Sequence, residues 1–477
     1  MSFPDGFLWG SSASAPQCEG AYDADGKGLS IWDVRPVNPG NCGFRVTSDF
    51  YHHYAEDIAL MGEMGLKAFR SSISWSRILP SGEGEVNQAG IDFYHRVFAE
   101  CKKHGIKPVM TLVHYDIPLE LKQKYGDWRN PAMCEAYLNY ARVLFENFGP
   151  DEVPYWLTYN EYNATTFYGA IDMTGDRSLH GPQELYDIAH RMMVMQAQAM
   201  KLCHELCPGA KVGPVPNITT SYPLTSAPED YIAALNMDDL RNNMYLDPFV
   251  FGTYPKSVIR WLDHQGVKMN VLPGDMEALA EAHPDFIAFN CYGNDTVRAL
   301  GWDDCIDLED LAGQDNRQLS YLLALAQKPG IGETSLNEHF VPNPSDGSLY
   351  DPWCLRVTAR RLTARYHLPL MVTECGTARH EVLEDGTVHD QYRIEFLHDV
   401  FRQLEIGIEE GADIIGLCTW SVMDLVSTRE GISKRYGFIY VDRDEDDEKA
   451  SKSEMKRYRK DSFWWYKHVI ETNGAEL

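Results

Sequence analysis

Eight short, largely apolar runs recur along the chain, at residues 7–13, 68–75, 108–115, 155–161, 211–217, 286–292, 368–376 and 413–420. Apolar residues on both alternating faces predict strands buried on both sides, as in a parallel sheet. The fifth run has the weakest pattern because Pro214 and Pro216 interrupt it. Between the runs, apolar residues recur every three or four positions and predict helices. One covers 54–64 and stops at Gly65; one covers 88–103, with Gly105 beyond it. A third covers 131–148, with Pro131 in its first turn and Gly149 after it, and another covers 390–410 before Gly411. Strand–helix alternation at this spacing means parallel strands joined by crossovers. Eight such units predict an α/β fold of the (β/α)8 TIM-barrel type. No linker or low-complexity break interrupts them, so residues 1–477 are read as one domain, at a length such barrels reach with insertions.

Polar residues gather where these runs end. Gln17 and Glu19 follow the first, Arg70 lies in the second and His114 is near the end of the third. Asn160 and Glu161 close the fourth, Asn290 and Tyr292 the sixth, Glu374 the seventh and Trp420 the eighth. In this barrel the C-terminal ends of the strands carry the chemistry. A carboxylate at the end of a buried strand costs free energy unless it is paired or at work, and a ring of such residues at one rim points to work. Glu161 and Glu374 fall on opposite sides of that rim. Two carboxyls facing across a cleft are the usual means of cleaving a glycosidic bond. Arg70 is expected to hold Glu374 ionised, and the ionised Glu374 to raise the pKa of Glu161 and keep it an acid. Gln17, His114 and Asn160 suit sugar hydroxyls, and Trp420 suits a sugar face.

Composition narrows the partners. The formal charge is −27, which excludes nucleic acid as a ligand. An anionic substrate would need a local cluster of cations to offset that charge. The 11 cysteines show no framework spacing and predict reduced thiols, hence a cytoplasmic protein. Cys203 and Cys207 stand one helical turn apart and are read as helix surface; no metal is predicted. No signal core or membrane-spanning run is present, so no membrane partner is expected. Association into homo-oligomers is left open.

The chain resembles glycoside hydrolase family 1, the retaining β-glycosidases, nearly from end to end. The similarity rests on Phe7-Leu-Trp-Gly with Gln17-Cys-Glu-Gly20, on 69–78, on Thr158-Tyr-Asn-Glu161, and on Thr373-Glu374-x-Gly376. It continues through Trp420-Ser-x-x-Asp424 and Ser462-Phe-Trp-Trp-Tyr466. The resemblance implies that Glu374 is the nucleophile and Glu161 the acid/base. It implies Gln17, His114, Asn160 and Trp420 around the sugar, Arg70, Asn290 and Tyr292 beside the nucleophile, and no cofactor. Two residues depart from the family's usual pattern. Cys375 stands where Asn is usual, and Tyr162 where Pro is frequent. The Cys375 thiol offers a route to inhibition by alkylation, which unchanged activity after a thiol reagent would refute.

Many members that cleave plain glucosides carry a Glu three residues after the Asp of Trp-Ser-x-x-Asp. Here that position is Ser427, followed by Thr428. Ser427, Lys434 and Tyr436 resemble the phosphate site of the family's 6-phospho-β-glycosidase branch. They offer a dianion one cation and two hydroxyls, the local cluster that the net charge demands. The neighbouring runs 442–448 and 456–460 are read as solvated loops, and 336–352 as a lip on the aglycone side. Thr428 replaces a Trp often found in galactoside members, which favours the gluco configuration. The expected substrate is therefore a small phosphorylated β-glucoside. The alternatives are a 6-phospho-β-galactosidase, an ordinary β-glucosidase and a non-catalytic sugar-phosphate binder.

Overall fold

Each of the eight apolar runs forms a strand, and all eight lie in one sheet. In the computed structural model, which describes residues 3–37, 41–168, 181–302, 327–428 and 430–477, these are β1 (Leu8–Ser12), β2 (Ala68–Ser72), β3 (Lys107–Val113) and β4 (Tyr155–Asn160). They continue as β5 (Lys211–Val215), β6 (Ile287–Asn290), β7 (Leu370–Glu374) and β8 (Ile414–Trp420). The strand order is β5-β4-β3-β2-β1-β8-β7-β6, with every neighbouring pair parallel. The two ends of that order meet. Asp285 N donates to Val212 O at 2.9 Å, Asn290 N to Pro216 O at 3.1 Å, and Ile218 N to Asn290 O at 2.8 Å, so the sheet closes into the expected barrel. Gly213 permits this seam, because a Cβ there would stand 2.3 Å from Phe286 O.

The expected helices are α1 (Phe50–Met64), α2 (Gln88–Lys103), α3 (Pro131–Asn147) and α4 (Gln391–Glu409). α1 begins four residues earlier than its periodicity indicates, because Phe50 and Tyr51 already belong to its buried face. Asn130 caps α3 by accepting from Ala132 N, with Pro131 in the first turn. The apolar core lies in two layers. One fills the barrel with side chains from every strand or its flank: Leu8, Ala68, Val109, Leu157, Val215, Phe286, Ala288, Met371 and Cys418. The other packs between strands and helices. This inner plug is apolar, and polar residues farther along several of the strands line the open end.

Three expectations are corrected. Cys203 and Cys207 are buried at the end of the helix Pro182–Leu206, because they fall on its inner stripe rather than on the surface. The basic stretch 456–460 is not a solvated loop. Arg457 forms a buried ion pair with Asp57 at 2.8 Å, and Lys460 one with Asp424 at 2.8 Å, so both tie the C-terminal hairpin to the core. The segment 336–352 contributes no lining residue to the cavity described below. Its Asp346 and Ser348 instead hold Arg379, which does line it.

Candidate active site

Arg70 lies two residues along β2 from Ala68 of the inner plug, so it points into the lumen just above the apolar layer. It is fully buried. Its Nη1 donates to Glu374 Oε1, its Nη2 to Asn160 Oδ1 at 2.6 Å, and its Nε to Thr111 Oγ1 at 3.2 Å. Such a cation is tolerable only because each of its nitrogens has an acceptor and one acceptor is a carboxyl.

Glu374 ends β7, where the register against β6 shifts between Val372 and Glu374 and sets Glu374 opposite Asn290. Its other oxygen accepts from Tyr292 OH at 2.7 Å. Burial pushes its carboxyl up to about 7, with Arg70 pulling it down, Glu161 pushing it up and Tyr292 pulling it down. The Arg70 contact is therefore present as expected, but burial outweighs it.

Glu161 follows the last residue of β4 with φ 45°, a left-handed conformation rare for a residue with a side chain. Glu161 N donates to Val215 O at 2.8 Å, which anchors this turn. Its Oε1 accepts from Asn217 Nδ2 at 2.9 Å and Asn290 Nδ2 at 3.0 Å, and its Oε2 from Tyr115 OH at 2.6 Å. Asn290 Oδ1 in turn accepts from Thr373 Oγ1 at 2.8 Å. One amide thus ties the Glu161 side of the site to the strand that carries Glu374.

His114 Nε2 lies 3.3 Å from Asn160 Nδ2. The amide oxygen of Asn160 already accepts from Arg70 and Asn290, so Nδ2 donates and the imidazole proton sits on Nδ1. Burial and the nearby Arg70 push His114 well below its ordinary range and keep it neutral. Trp420 stacks on His114 with ring centroids 5.9 Å apart. Gln17 is braced at both ends, accepting from Ser14 Oγ at 2.8 Å and donating to Val426 O at 2.9 Å.

Ser427, Lys434 and Tyr436 reach the same place from the segment after β8. Lys434 and Arg435 form a two-residue strand paired with Arg379–His380. Successive side chains of a strand diverge, so Lys434 faces the cavity while Arg435 turns inward to Asp424 Oδ2 at 3.2 Å. A cavity of about 550 Å3 is lined by Gln17, His114, Asn160, Glu161, Tyr292, Glu374, Trp420, Ser427, Lys434 and Tyr436. Arg70 and Asn290 stand behind it. Glu19 is not part of it, because its carboxylate is taken up by Arg77 at 3.1 Å and Tyr94 OH at 2.6 Å.

The sequence reading missed Tyr115, Asn217, Thr219 and Arg241, which also line the cavity. Tyr115 and Asn217 end their runs as His114 and Glu161 do, and the same positional rule selects them. Arg241 comes from the β5–β6 connection and had no such signal. Tyr162 is fully buried and donates to Tyr245 O at 2.7 Å, so it packs behind the rim. Cys375 is also fully buried and its thiol is pushed well up by burial, so the structure gives no support for its alkylation. Among the described residues no cluster of three metal-ligating side chains occurs, and no helix is long and apolar enough to cross a membrane.

A family model described as glycosyl hydrolase family 1 matches residues 1–475. The chain belongs to this family. An aryl-phospho-beta-D-glucosidase BglC of Bacillus subtilis is 40% identical to this family 1 hydrolase over 482 residues, covering 100% of the chain and 98% of the relative. The 6-phospho-beta-glucosidase AscB of Escherichia coli is 38% identical and covers 100% and 99%. Among solved structures, a family 1 β-glucosidase from Thermotoga maritima superposes with a TM-score of 0.84 at 31% identity, covering 100% and 99%. The barrel is thus the fold of the family, and the enzyme is a glycoside hydrolase.

Proposed function

We propose that this family 1 hydrolase cleaves 6-phospho-β-D-glucosides with retention, releasing glucose 6-phosphate and the aglycone. The observation that carries the reading is that Ser427, Lys434 and Tyr436 open into the cavity that also holds Glu161 and Glu374. The names of the relatives from Bacillus subtilis and Escherichia coli support it. In the first step the Glu374 carboxylate attacks the anomeric carbon while Glu161 gives its proton to the departing oxygen, leaving a glycosyl ester on Glu374. In the second, Glu161 takes a proton from water, the water oxygen attacks the anomeric carbon, and Glu374 is released. No cofactor enters either step. Arg70 and Tyr292 hold the carboxylate of Glu374, and Asn290 fixes Glu161. Gln17, His114, Asn160 and Trp420 orient the sugar. Lys434, with the hydroxyls of Ser427 and Tyr436, takes the 6-phosphate. Residues 1–477 act as one domain in this reading. Its place is the cytoplasm, where the phosphorylating steps that make such substrates occur.

The test is hydrolysis of p-nitrophenyl β-glucoside, its 6-phosphate and the 6-phosphogalactoside at matched concentrations. Turnover confined to the phosphorylated glucoside is expected. Preference for the plain glucoside would make this a β-glucosidase, preference for the galactoside would reverse the assignment at C4, and binding without turnover would leave a sugar-phosphate binder.

A further inference from the structure

Lys434 is not bare in the structure. Its Nζ donates to Glu430 Oε1 at 2.7 Å, and the pair is roughly one-third and one-half exposed, at 31% and 46%. Glu430 is not among the residues lining the cavity, so it holds the ammonium from the outer side while Lys434 faces the site from within. Its position is built rather than incidental. Ser427 N donates to Gly431 O at 2.8 Å, and Glu430 N donates to Ser427 Oγ at 3.3 Å, which closes a tight loop between two residues of the phosphate set. Gly431 has φ +64°, the left-handed conformation that lets the chain turn here. The second oxygen of Glu430 lies 4.0 Å from His380 Nε2, on the strand paired with Lys434.

An ammonium can donate to two anions at once, but those anions then stand only about 4.5–5 Å apart. A phosphate dianion on Lys434 would meet the Glu430 carboxylate at that separation, in a partly dry setting where like charges repel more than in water. We propose that Glu430 is a specificity-determining counter-ion that deliberately weakens the phosphate subsite, so that the anionic product leaves as readily as the anionic substrate enters. This rests on the reading of Lys434 as the phosphate ligand. Without such a brake the phosphate contacts, which glucose 6-phosphate shares with the glycoside, would hold both more tightly and slow the release of the product.

The test is steady-state kinetics with the full chain carrying Glu430→Gln and, separately, Glu430→Ala. Removing the carboxylate is expected to lower the inhibition constants of inorganic phosphate and of glucose 6-phosphate, and KM for the 6-phosphoglucoside, each by roughly three- to tenfold. KM for the plain glucoside lacks the repulsion and is not expected to follow. A rise in the phosphate constants in both variants would mean that Glu430 orients Lys434 for the anion, and would overturn the proposal. No change would overturn it too. Lys434→Met in parallel separates the two levels. If it abolishes the preference for phosphorylated substrate while the Glu430 variants do nothing, only the counter-ion role falls. If Lys434→Met leaves the preference intact, the phosphate reading falls and the counter-ion role with it.

Discussion

At the scale of the residue, Glu374 is pulled two ways. Its carboxyl is 4% exposed, and burial raises its pKa from 4.5 to about 7 even though Arg70 and Tyr292 lower it. A nucleophile must be ionised, so the acid limb of kcat/KM is expected well above pH 4.5, toward 7, and to move higher still in Tyr292→Phe, which removes one stabilising donor. A limb near 4 in the pH–rate profile would refute this. The same shift bears on stability. The folded pKa is raised, so folding favours the protonated acid. The destabilisation is absent below pH 4.5, grows through the interval to about 7 and stays constant above it. Glu374→Gln removes this titrating group, so the fall in stability between pH 4 and pH 8 is expected to be smaller in the variant than in the native enzyme, while loss of the carboxylate opposite the buried Arg70 costs stability at both pH values. Thermal unfolding at the two pH values checks it. For Glu161, substitution by Ala is expected to cost roughly 10²–10⁴ in kcat/KM with poor leaving groups, and far less with a nitrophenolate that needs no proton. Equal losses on both substrates would remove Glu161 from the acid role.

At the scale of the element, both strands that carry the glutamates are irregular at the end that matters. β4 shifts register between Leu157 and Asn160, and β7 between Val372 and Glu374. Irregularities of this kind re-aim side chains beside active sites. They explain why strict alternation did not by itself say which way Glu161 and Glu374 face. The strands themselves were legible because burial on both faces writes continuous apolar runs, and most of the rim residues because polar atoms are costly there. Arg241 was not legible, since nothing in a helical turn of a long connection distinguishes a cavity-facing Arg from a solvated one. Arg457 and Lys460 were misread for a related reason. A charge run looks solvated unless the distant acids that bury it, Asp57 and Asp424, are known to be near. Close approach between β7 and β8 gives a further prediction. A Cβ on Gly376 would stand 2.7 Å from Trp420 O. Gly376→Ala must push apart the ends of the strands that carry Glu374 and Trp420. A loss of about 1–3 kcal/mol in stability is expected, with a fall in kcat; native stability in urea unfolding would show that the strands yield freely.

At the scale of the whole molecule, a charge of −27 surrounds a cavity proposed to take a 6-phosphate. The long-range repulsion is screened within about 10 Å at 0.1 M salt, whereas contacts inside a partly buried pocket are screened less. Raising the salt from about 10 to 150 mM is therefore expected to increase kcat/KM for the 6-phosphoglucoside and to leave the neutral glucoside nearly unchanged. A decrease for the phosphorylated substrate would mean that local attraction dominates at all distances. The seam between β1 and β8 has another consequence. The hydroxyls of Ser11 and Ser12 bond Thr419 O at 3.1 and 2.8 Å, and Tyr466 OH bonds Gly10 O at 2.8 Å, across more than 400 positions of chain. A ribosome adding roughly 5–20 residues each second needs roughly 20–80 s to deliver β8 after β1 has emerged. Through that interval one edge of the growing sheet offers unpaired N–H and C=O groups to any neighbour, an invitation to aggregate. During synthesis the nascent chain is thus a natural client for a chaperone that shields strand edges, and its yield in a cell depends on translation speed as well as on the stability of the finished barrel.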